Sequence, residues 1–326
     1  MKRIRLLLVL GLAVLALYLG FANGSLSEIL NASDDGGRRL VFTSELQRLI
    51  GGGSHEVSAP DPTQTPTEET PPPVQPSVVP TTISGGFLIK NSTDYDIDFQ
   101  QILSEGCSLR LPAGEPQILI IHTHSSEAYT PAGLDRYEAS GDSRTLDQNF
   151  SVIRVGNELT EIFRSYGLNV IHDTGVYDYP SYTGSYNRSG AKVEEYLAQY
   201  PTIKIVIDLH RDALGSSDVL YKVVADEEGV CASQVMLFVG TDASGLEHPN
   251  WRQNLSLAVY IQNAVSSKYP SLMRPVQLVK YRYNQHLTPG SMIIEVGSNG
   301  NTLQEALAAI RLFGHSAGPA LAELVE

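Results

Sequence analysis

From residue 116 onward, short apolar runs alternate with longer stretches that have helical spacing. The apolar runs are continuous and strand-like: ILIIHTH, IKIVIDLHRD, QVMLFVGT and MIIEVGS. The longer stretches carry apolar side chains every three to four positions, in residues 149–166, 191–199, 250–269 and 302–325. Strands buried on both faces and separated by helices are typical of an α/β fold. We therefore predict a mostly parallel sheet flanked by helices, in a domain of residues 85–326 whose core begins near residue 115.

Three of the apolar runs end in chemically reactive side chains. IIHTHSSE supplies His124 and Glu127, IVIDLHRD supplies His210 and Arg211, and MIIEVGS supplies Glu295. In α/β folds, the carboxyl ends of the strands line the ligand crevice. The sequence therefore predicts that these side chains meet at one edge of the sheet.

The first two of these clusters contain ligands that suit zinc. Two imidazoles, from His124 and His210, and one carboxylate leave a fourth position open for water, as in catalytic zinc sites. Glu127 is the preferred carboxylate, because one turn can direct it and His124 at the same ion. Asp147 is the rival third ligand, and its structural explanation is a cap at the start of the helix that follows. The expected cofactor is Zn²⁺.

Glu295 is the predicted general acid/base. It stands in an otherwise apolar strand, where an unpaired charge is costly, and a carboxylate beside a metal site can take a proton from water and pass it to a leaving amine. An ion pair with Arg211 is the structural alternative for Glu295. Arg211 is otherwise a candidate to bind a substrate carboxylate, and Tyr182 and Tyr186 in DYPSYTGSY are candidates to stack on sugar or peptide.

The first 84 residues differ in composition from the rest. Residues 1–24 combine the basic tip MKRIR with an uncharged run over residues 6–22, which predicts a transmembrane anchor with everything after it outside the cytoplasm. A cleaved signal peptide is the alternative. Residues 25–58 form a juxtamembrane segment, and the Pro/Thr-rich residues 59–84 predict an extended linker.

Charge and cysteine content exclude two further classes of site. The net charge of −13, with no cluster of Lys and Arg beyond the first five residues, argues against a nucleic-acid partner. Two cysteines provide neither a disulfide framework nor a zinc knuckle. The chemistry is therefore expected from the histidines and carboxylates.

Over about residues 115–326, several strings resemble those of the stage II sporulation protein P family: IHTHSSEAY, DYPSYTGSYNRS, DLHRD, FVGT, YNQ and IIEVGSNGNTLQEA. That family is similar in turn to zinc N-acetylmuramoyl-L-alanine amidases. The resemblance implies a zinc amidase-like catalytic domain in which His124, an acidic residue, His210 and Glu295 build the site. The amidases place the acidic ligand near the start of the first helix, which favours Asp147 and leaves the choice against Glu127 open.

The resemblance also implies a biological setting. It implies hydrolysis of peptidoglycan at the bond between muramic acid and L-alanine, together with cleavage of stem-peptide cross-links, during engulfment in endospore formation. It further implies stage II sporulation proteins D and M as partners, and a location in the mother-cell membrane facing the forespore. Two other interpretations stay open: a zinc carboxypeptidase-like peptidase, and a non-catalytic scaffold that binds the cell wall.

Overall fold

The computed structural model describes residues 89–216 and 218–326. The predicted anchor, juxtamembrane segment and linker all lie outside the described residues, as does the predicted start of the domain at residue 85. Within the described ranges, no helix combines the length and the apolar character needed to cross a membrane.

The described chain contains nine strands. They are β1 (Ile89–Asn91), β2 (Ile118–Ile121), β3 (Val170–His172), β4 (Ile205–Asp212), β5 (Val224–Glu227), β6 (Val230–Ser233), β7 (Val235–Gly240), β8 (Val276–Val279) and β9 (Gly290–Ser298). Seven of them form one sheet in the order β1-β8-β7-β9-β4-β2-β3. All neighbours in this sheet are parallel except β7 and β9, so the prediction of a mostly parallel sheet is confirmed. β5 and β6 form a separate hairpin, and Cys107 and Cys231 are both free.

Five helices in the described residues flank this sheet. They are α1 (Phe99–Glu105), α2 (Val152–Ser165), α3 (Ser185–Gln199), α4 (Trp251–Lys268) and α5 (Leu303–Ala322), with a 3-10 turn at Gln285–Leu287. The predicted helices over residues 149–166, 250–269 and 302–325 correspond to α2, α4 and α5, each shorter by a few residues. The helix predicted near residues 191–199 is longer, because α3 already begins at Ser185.

The two faces of the sheet are covered unequally. One face packs against α2, α4 and α5 and forms the main core, with side chains such as Ile120, Leu159, Ile294 and Phe313. The other face forms a smaller cluster beneath α3, from Leu119, Ile121, Val193, Ile203 and Val206. Since alternate residues of a strand face opposite sides, the even-numbered positions 206, 208 and 210 of β4 all point to the less covered face. Polar side chains there are within reach of a ligand.

β2 is shorter than the predicted strand over residues 118–124. It ends at Ile121 because the following main chain donates to carboxylates instead of to a neighbouring strand: Thr123 N lies 2.7 Å from Asp208 Oδ1, and Ser126 N lies 3.2 Å from Asp178 Oδ1. The resulting turn holds residues 122–127 against the end of the sheet.

β4 and β9 are paired irregularly at their carboxyl ends. The register shifts between His210 and Asp212, and Gly297 on the opposite strand has a φ of 68°. A bulge of this kind bends the strand locally and is common beside active sites. The irregularity follows directly after the residues predicted to carry the chemistry.

Candidate functional site

The carboxyl ends of β9, β4 and β2 lie side by side in the sheet. His210 on β4 and Glu295 on β9 are direct partners in the register of the two strands, and His124 lies in the turn that follows β2. Because parallel strands end at the same edge of a sheet, three segments distant in sequence converge here. The structure thus brings the three predicted clusters together.

The side chains of His124, Glu127 and His210 form a buried cluster that could hold a metal ion. One ligand atom from each of the three lies within 4.8 Å of the other two. Glu127 stands between the rings, with Oε1 3.4 Å from His124 Nδ1 and Oε2 3.2 Å from His210 Nδ1. His124 Nε2 is buried and lacks a hydrogen-bond partner among the described residues. Two imidazoles and a carboxylate are a donor set that suits zinc.

Asp208 orients His210. Its Oδ1 lies 2.8 Å from His210 Nε2. The contact is an ion pair, because the angle at the N–H group does not meet the geometry of a hydrogen bond. Asp208 itself accepts hydrogen bonds from the main-chain N and the Oγ1 of Thr123, at 2.7 Å and 2.6 Å. A carboxylate behind a metal-binding histidine fixes the ring and the nitrogen that is left for the metal. Sequence analysis assigned Asp208 no role, although the spacing Asp-x-His places both side chains on one face of a strand.

Electrostatics in the cluster favour a bound cation. Burial would raise the pKa of Glu127, but Arg211 and the two imidazoles hold that pKa well below its usual range. Burial would lower the pKa of His210, but Asp208 and Glu127 raise it well above 6.5. The two carboxylates that favour a proton on His210 would equally favour a metal ion, which would displace that proton.

Glu295 lies beside the cluster with one carboxylate oxygen uncommitted. Oε2 is buried and has no hydrogen-bond partner among the described residues. Burial raises the pKa of Glu295 to about 8, against the opposing effect of His210 and with support from Asp212. A divalent cation nearby would lower this pKa towards neutrality, which suits a group that must both accept and release a proton.

Two of the candidate tyrosines pack on His124. The ring of Tyr182 stacks on the imidazole with centroids 4.5 Å apart, and the ring of Tyr186 meets it edge-on at 5.5 Å. Tyr182 comes from the tyrosine-rich segment between β3 and α3, and Tyr186 lies in the first turn of α3. The segment therefore forms a wall of the site, and both rings are half-buried.

Arg144 and Asp178 complete the outer side of the cluster. Arg144 Nη1 lies 2.6 Å from Asp178 Oδ2, and Nη2 lies 3.6 Å from Glu127 Oε1. The guanidinium also sits over the Tyr182 ring, 5.0 Å from its centroid. Sequence analysis missed both residues, because each lies in an irregular loop with no periodic pattern to indicate which way its side chain points.

Arg211 does not occupy the position expected of a substrate clamp. Its Nε donates to the carbonyl of Ala128 at 3.0 Å, and Nη2 donates to the carbonyl of Ser143 at 2.9 Å. The side chain is buried and its Nη1 lies 4.0 Å from Glu127 Oε1. The guanidinium therefore holds the loop around the metal site, and it forms neither the expected fork on a carboxylate nor an ion pair with Glu295.

Asp147 lies apart from the cluster. It is exposed and its Oδ1 accepts hydrogen bonds from the main chain and the side chain of Asn149, at 3.0 Å and 2.9 Å. The cap of α2 is Ser151, whose side chain accepts from Ile153 N. The cap considered for Asp147 is thus wrong, and this aspartate stabilises a local turn instead.

A second histidine pair lies on the opposite face of the sheet. His122 Nε2 is 2.8 Å from His172 Nε2, and His122 Nδ1 is 2.8 Å from the carbonyl oxygen of Leu209. Gly156 of α2 leaves the space for both rings, since a Cβ there would lie 2.6 Å from His122 Nε2. This pair packs beneath α2 and does not join the metal cluster.

Comparison with known proteins identifies relatives of the chain. The model of a protein family described as stage II sporulation protein P matches residues 57–315. Stage II sporulation protein P of Bacillus subtilis (strain 168) is 26% identical over 225 residues, which cover 64% of this chain and 53% of that protein. The chain thus spans about half the length of the curated relative it matches.

Several solved structures resemble the chain distantly. The CwlD amidase of Clostridioides difficile, solved in complex with the GerS lipoprotein, is 14% identical, with a TM-score of 0.37 over 64% of this chain and 98% of that one. The N-acetylmuramoyl-L-alanine amidase AmiC2 of Nostoc punctiforme is 12% identical, with a TM-score of 0.36 over 65% and 96% of the two chains. The catalytic domain of the CD27L endolysin is 15% identical, with a TM-score of 0.38 over 64% and 96%.

Proposed function

This chain belongs to the stage II sporulation protein P family, and from that premise we propose that it is a zinc-dependent peptidoglycan hydrolase. The proposed reaction is hydrolysis of the amide bond between the muramic acid lactyl group and L-alanine. One observation carries the proposal: His124, Glu127 and His210 form a buried metal-binding cluster directly beside Glu295, whose Oε2 has no hydrogen-bond partner among the described residues.

Each residue of the cluster has a defined part in this reaction. A zinc ion held by His124, Glu127 and His210 would supply Lewis-acid chemistry and lower the pKa of water. Glu295 takes a proton from the attacking water and gives it to the nitrogen of the leaving amine. The partnerless carboxylate oxygen is the atom that carries this proton. Asp208 keeps His210 in one orientation throughout.

The packing around the metal cluster leaves one side, the less covered face of the sheet, for a large substrate to approach. The main core covers the face beneath α2, α4 and α5, whereas the metal cluster lies on the other face, where the apolar cluster is smaller. Tyr182 and Tyr186 line it there with half-buried rings, which suits stacking on sugar or peptide. We assign these two tyrosines to contact with the glycan or stem peptide.

The surroundings of Arg211 weigh against the carboxypeptidase-like alternative. Such a peptidase needs a cation free to bind the terminal carboxylate of its substrate. The guanidinium of Arg211 is committed to main-chain carbonyls, and that of Arg144 is paired with Asp178. Amide hydrolysis within peptidoglycan requires no such clamp.

Several features of the proposal lie outside the described residues or rest on the family alone. They are the single transmembrane helix of residues 1–24, an extended linker over residues 59–84 and a catalytic domain on the extracytoplasmic side, in the mother-cell membrane facing the forespore. Cleavage of stem-peptide cross-links, action in engulfment and partnership with stage II sporulation proteins D and M belong to the same proposal.

The test is digestion of purified peptidoglycan by the full-length chain in detergent, followed by mass spectrometry of the products. Free stem peptides are expected from the wild type, their release should stop with a chelator, and zinc should restore it. The matched control is Glu295→Gln, which should release none. Shortened or uncross-linked peptides alone would indicate an endopeptidase, new sugar ends would exclude the proposed bond, and intact peptidoglycan would favour the non-catalytic scaffold.

A further inference from the structure

Tyr283 has a main-chain conformation that a tyrosine rarely adopts. Its φ is 49°, in the left-handed region where side chains other than glycine are strained. Strained residues persist only where the surrounding structure holds them, and they cluster at active sites. We therefore expect contacts of the Tyr283 segment with the rest of the fold to hold this strained conformation.

The segment that follows this residue is anchored to three parts of the fold. Gln285 Oε1 accepts a hydrogen bond from Gly240 N at 2.8 Å, and Gln285 Nε2 donates to the carbonyl of Phe238 at 3.1 Å. Asn284 Nδ2 donates to the carbonyl of Tyr186 at 2.9 Å, and Asn254 Nδ2 donates to the carbonyl of Gln285 at 2.9 Å. β7, α3 and α4 thus fix the turn and the direction of the strained side chain together.

The ring held by this turn lies on the face of the sheet that carries the metal cluster. Its centroid is 5.4 Å from that of Phe238 and 5.3 Å from that of Tyr186. Phe238 pairs across the sheet with the residue two positions before Glu295, so Phe238 and Glu295 project from the same face. Tyr186 in turn meets His124. The Tyr283 ring therefore lies on the face that carries Glu295, and it lines a small cavity together with Thr123 and Asp208.

The hydroxyl of Tyr283 has no hydrogen bond to any described residue. The more deeply buried Tyr129 and the half-buried Tyr137 behave differently, since each donates to a main-chain carbonyl. Burial and the charge of Glu295 raise the pKa of Tyr283. The phenol is therefore a neutral donor with no hydrogen-bond partner in the part of the chain that the structure describes.

We propose that Tyr283 is a catalytic residue whose hydroxyl donates a hydrogen bond to the carbonyl oxygen of the scissile amide as that oxygen becomes negative. The inference rests on the proposed function, because it requires an amide bond to be cleaved at this site. A donor fixed in advance where charge develops stabilises the transition state more than the substrate.

The step balances without any further reactant. The oxygen of water adds to the carbonyl carbon, the π electron pair moves to the carbonyl oxygen, and Glu295 takes the proton from water. The carbon–nitrogen bond then breaks, the carbonyl re-forms, and the nitrogen takes the proton from Glu295. The O–H bond of Tyr283 stays intact throughout, so the residue contributes a hydrogen bond and transfers no proton.

The test compares Tyr283→Phe with Tyr281→Phe in the full-length, zinc-loaded chain, on soluble muropeptides with an intact stem peptide. Tyr283→Phe keeps the ring and removes only the hydroxyl, so kcat should fall about 100- to 1,000-fold, with KM and bound zinc close to wild type. Tyr281→Phe removes a hydroxyl two residues away and should leave kcat unchanged. A phosphinate analogue of the amide, which mimics the tetrahedral intermediate, should bind Tyr283→Phe more weakly by about the factor lost in kcat/KM.

Four outcomes would overturn the inference. Turnover of Tyr283→Phe within about threefold of wild type, or unchanged binding of the phosphinate, would show that the hydroxyl makes no contact in the transition state. Tyr283→Asn, in which asparagine tolerates the positive φ, serves as a second variant, and loss of zinc in both variants would make the residue structural. A wild-type chain that leaves muropeptides intact even with zinc would instead refute the proposed function, and the inference with it.

Discussion

Two pairs of histidines lie on opposite faces of the same sheet and differ in what surrounds them. His122 and His172 contact each other directly, with their Nε2 atoms 2.8 Å apart. His124 and His210 are instead separated by the carboxylate of Glu127, which approaches a nitrogen of each ring. The first pair packs beneath a helix in the main core, and the second lies on the less covered face.

The difference shows that the carboxylates around a histidine pair decide what the pair can do. Burial lowers the pKa of His122 to about 3 and that of His172 to about 4. Both rings are therefore neutral at pH 7, and their Nε2 atoms share one hydrogen bond. Asp208 and Glu127 reverse the effect of burial on His210 and raise its pKa. A cluster that already favours a positive charge is prepared for a metal ion, whereas a neutral pair is a packing element.

The largest effect is expected at Glu295, which lies beside the pair of His124 and His210. Glu295→Gln should lower turnover about 100- to 10,000-fold, because the amide cannot accept a proton, while bound zinc stays at the wild-type level. The measurements are kcat on muropeptides and zinc content of the purified protein. A rate close to wild type would remove Glu295 from the mechanism.

The second effect separates the two rival carboxylates. Glu127→Ala should lose bound zinc, because it removes the ligand between the two rings. Asp147→Ala should keep zinc and lose about 1 kcal/mol of stability or less, since it removes only an exposed turn contact. Zinc content and thermal unfolding measure the two effects, and full occupancy in the first variant with loss in the second would make Asp147 the ligand.

Asp208 provides the third comparison, because it lies 2.8 Å from His210, whereas no carboxylate of the described residues lies at ion-pair distance from His122 or His172. Asp208→Asn should weaken zinc binding about 10- to 100-fold, since an amide no longer holds His210 as a carboxylate does. Asp212→Asn is the matched control: it lies on the same strand, and its carboxylate is ion-paired with Arg274 at 2.7 Å. Competition with a zinc-binding dye measures both affinities, and equal values for the two variants would contradict the role of Asp208.

The pH dependence of kcat/KM should reflect the titration of Glu295 and not that of the His122–His172 pair. Glu295 must be deprotonated to act, and its pKa is raised from 4.5 to about 8, with a bound cation lowering it again. At low pH kcat/KM should therefore rise about tenfold per pH unit. It should then reach a plateau, and the midpoint of this transition should lie above 4.5. His122 and His172, with pKa values of about 3 and about 4, should add no inflection near neutrality. An acid limb with its midpoint at or below 4.5 would contradict the raised pKa.

The smallest effect on chemistry is expected from the first histidine pair. His172→Ala leaves the buried His122 Nε2 without its partner, so the variant should lose about 1–3 kcal/mol of stability. Zinc affinity should match the wild type, because the pair faces α2 and not the cluster. Denaturant unfolding and zinc titration check the two statements, and a large fall in zinc affinity would show that the two faces are linked.

By itself the sequence determined the class of fold and the place of the chemistry. Apolar runs separated by helical periodicity predict a mostly parallel sheet, and the structure confirms it. Since strands of such a sheet end at a common edge, residues as distant as His124, His210 and Glu295 could be placed together from their positions after apolar runs. The alternation alone does not separate His122 from His124, because residues two apart share a face of a strand; the turn that begins after Ile121 does.

The tertiary structure decided what depends on loops and on long-range contacts. No periodicity reveals that Arg211 turns inward to main-chain carbonyls, that Arg144 reaches Glu127, or that Asp147 lies apart in an exposed turn. The direction of β1, β8 and β7, which run opposite to the other four strands of the sheet, and the strained turn at Tyr283 likewise follow from packing between distant segments. Local sequence patterns report which face of a strand or helix a residue occupies, whereas the direction of a loop side chain is set by partners that the chain meets only after it has folded.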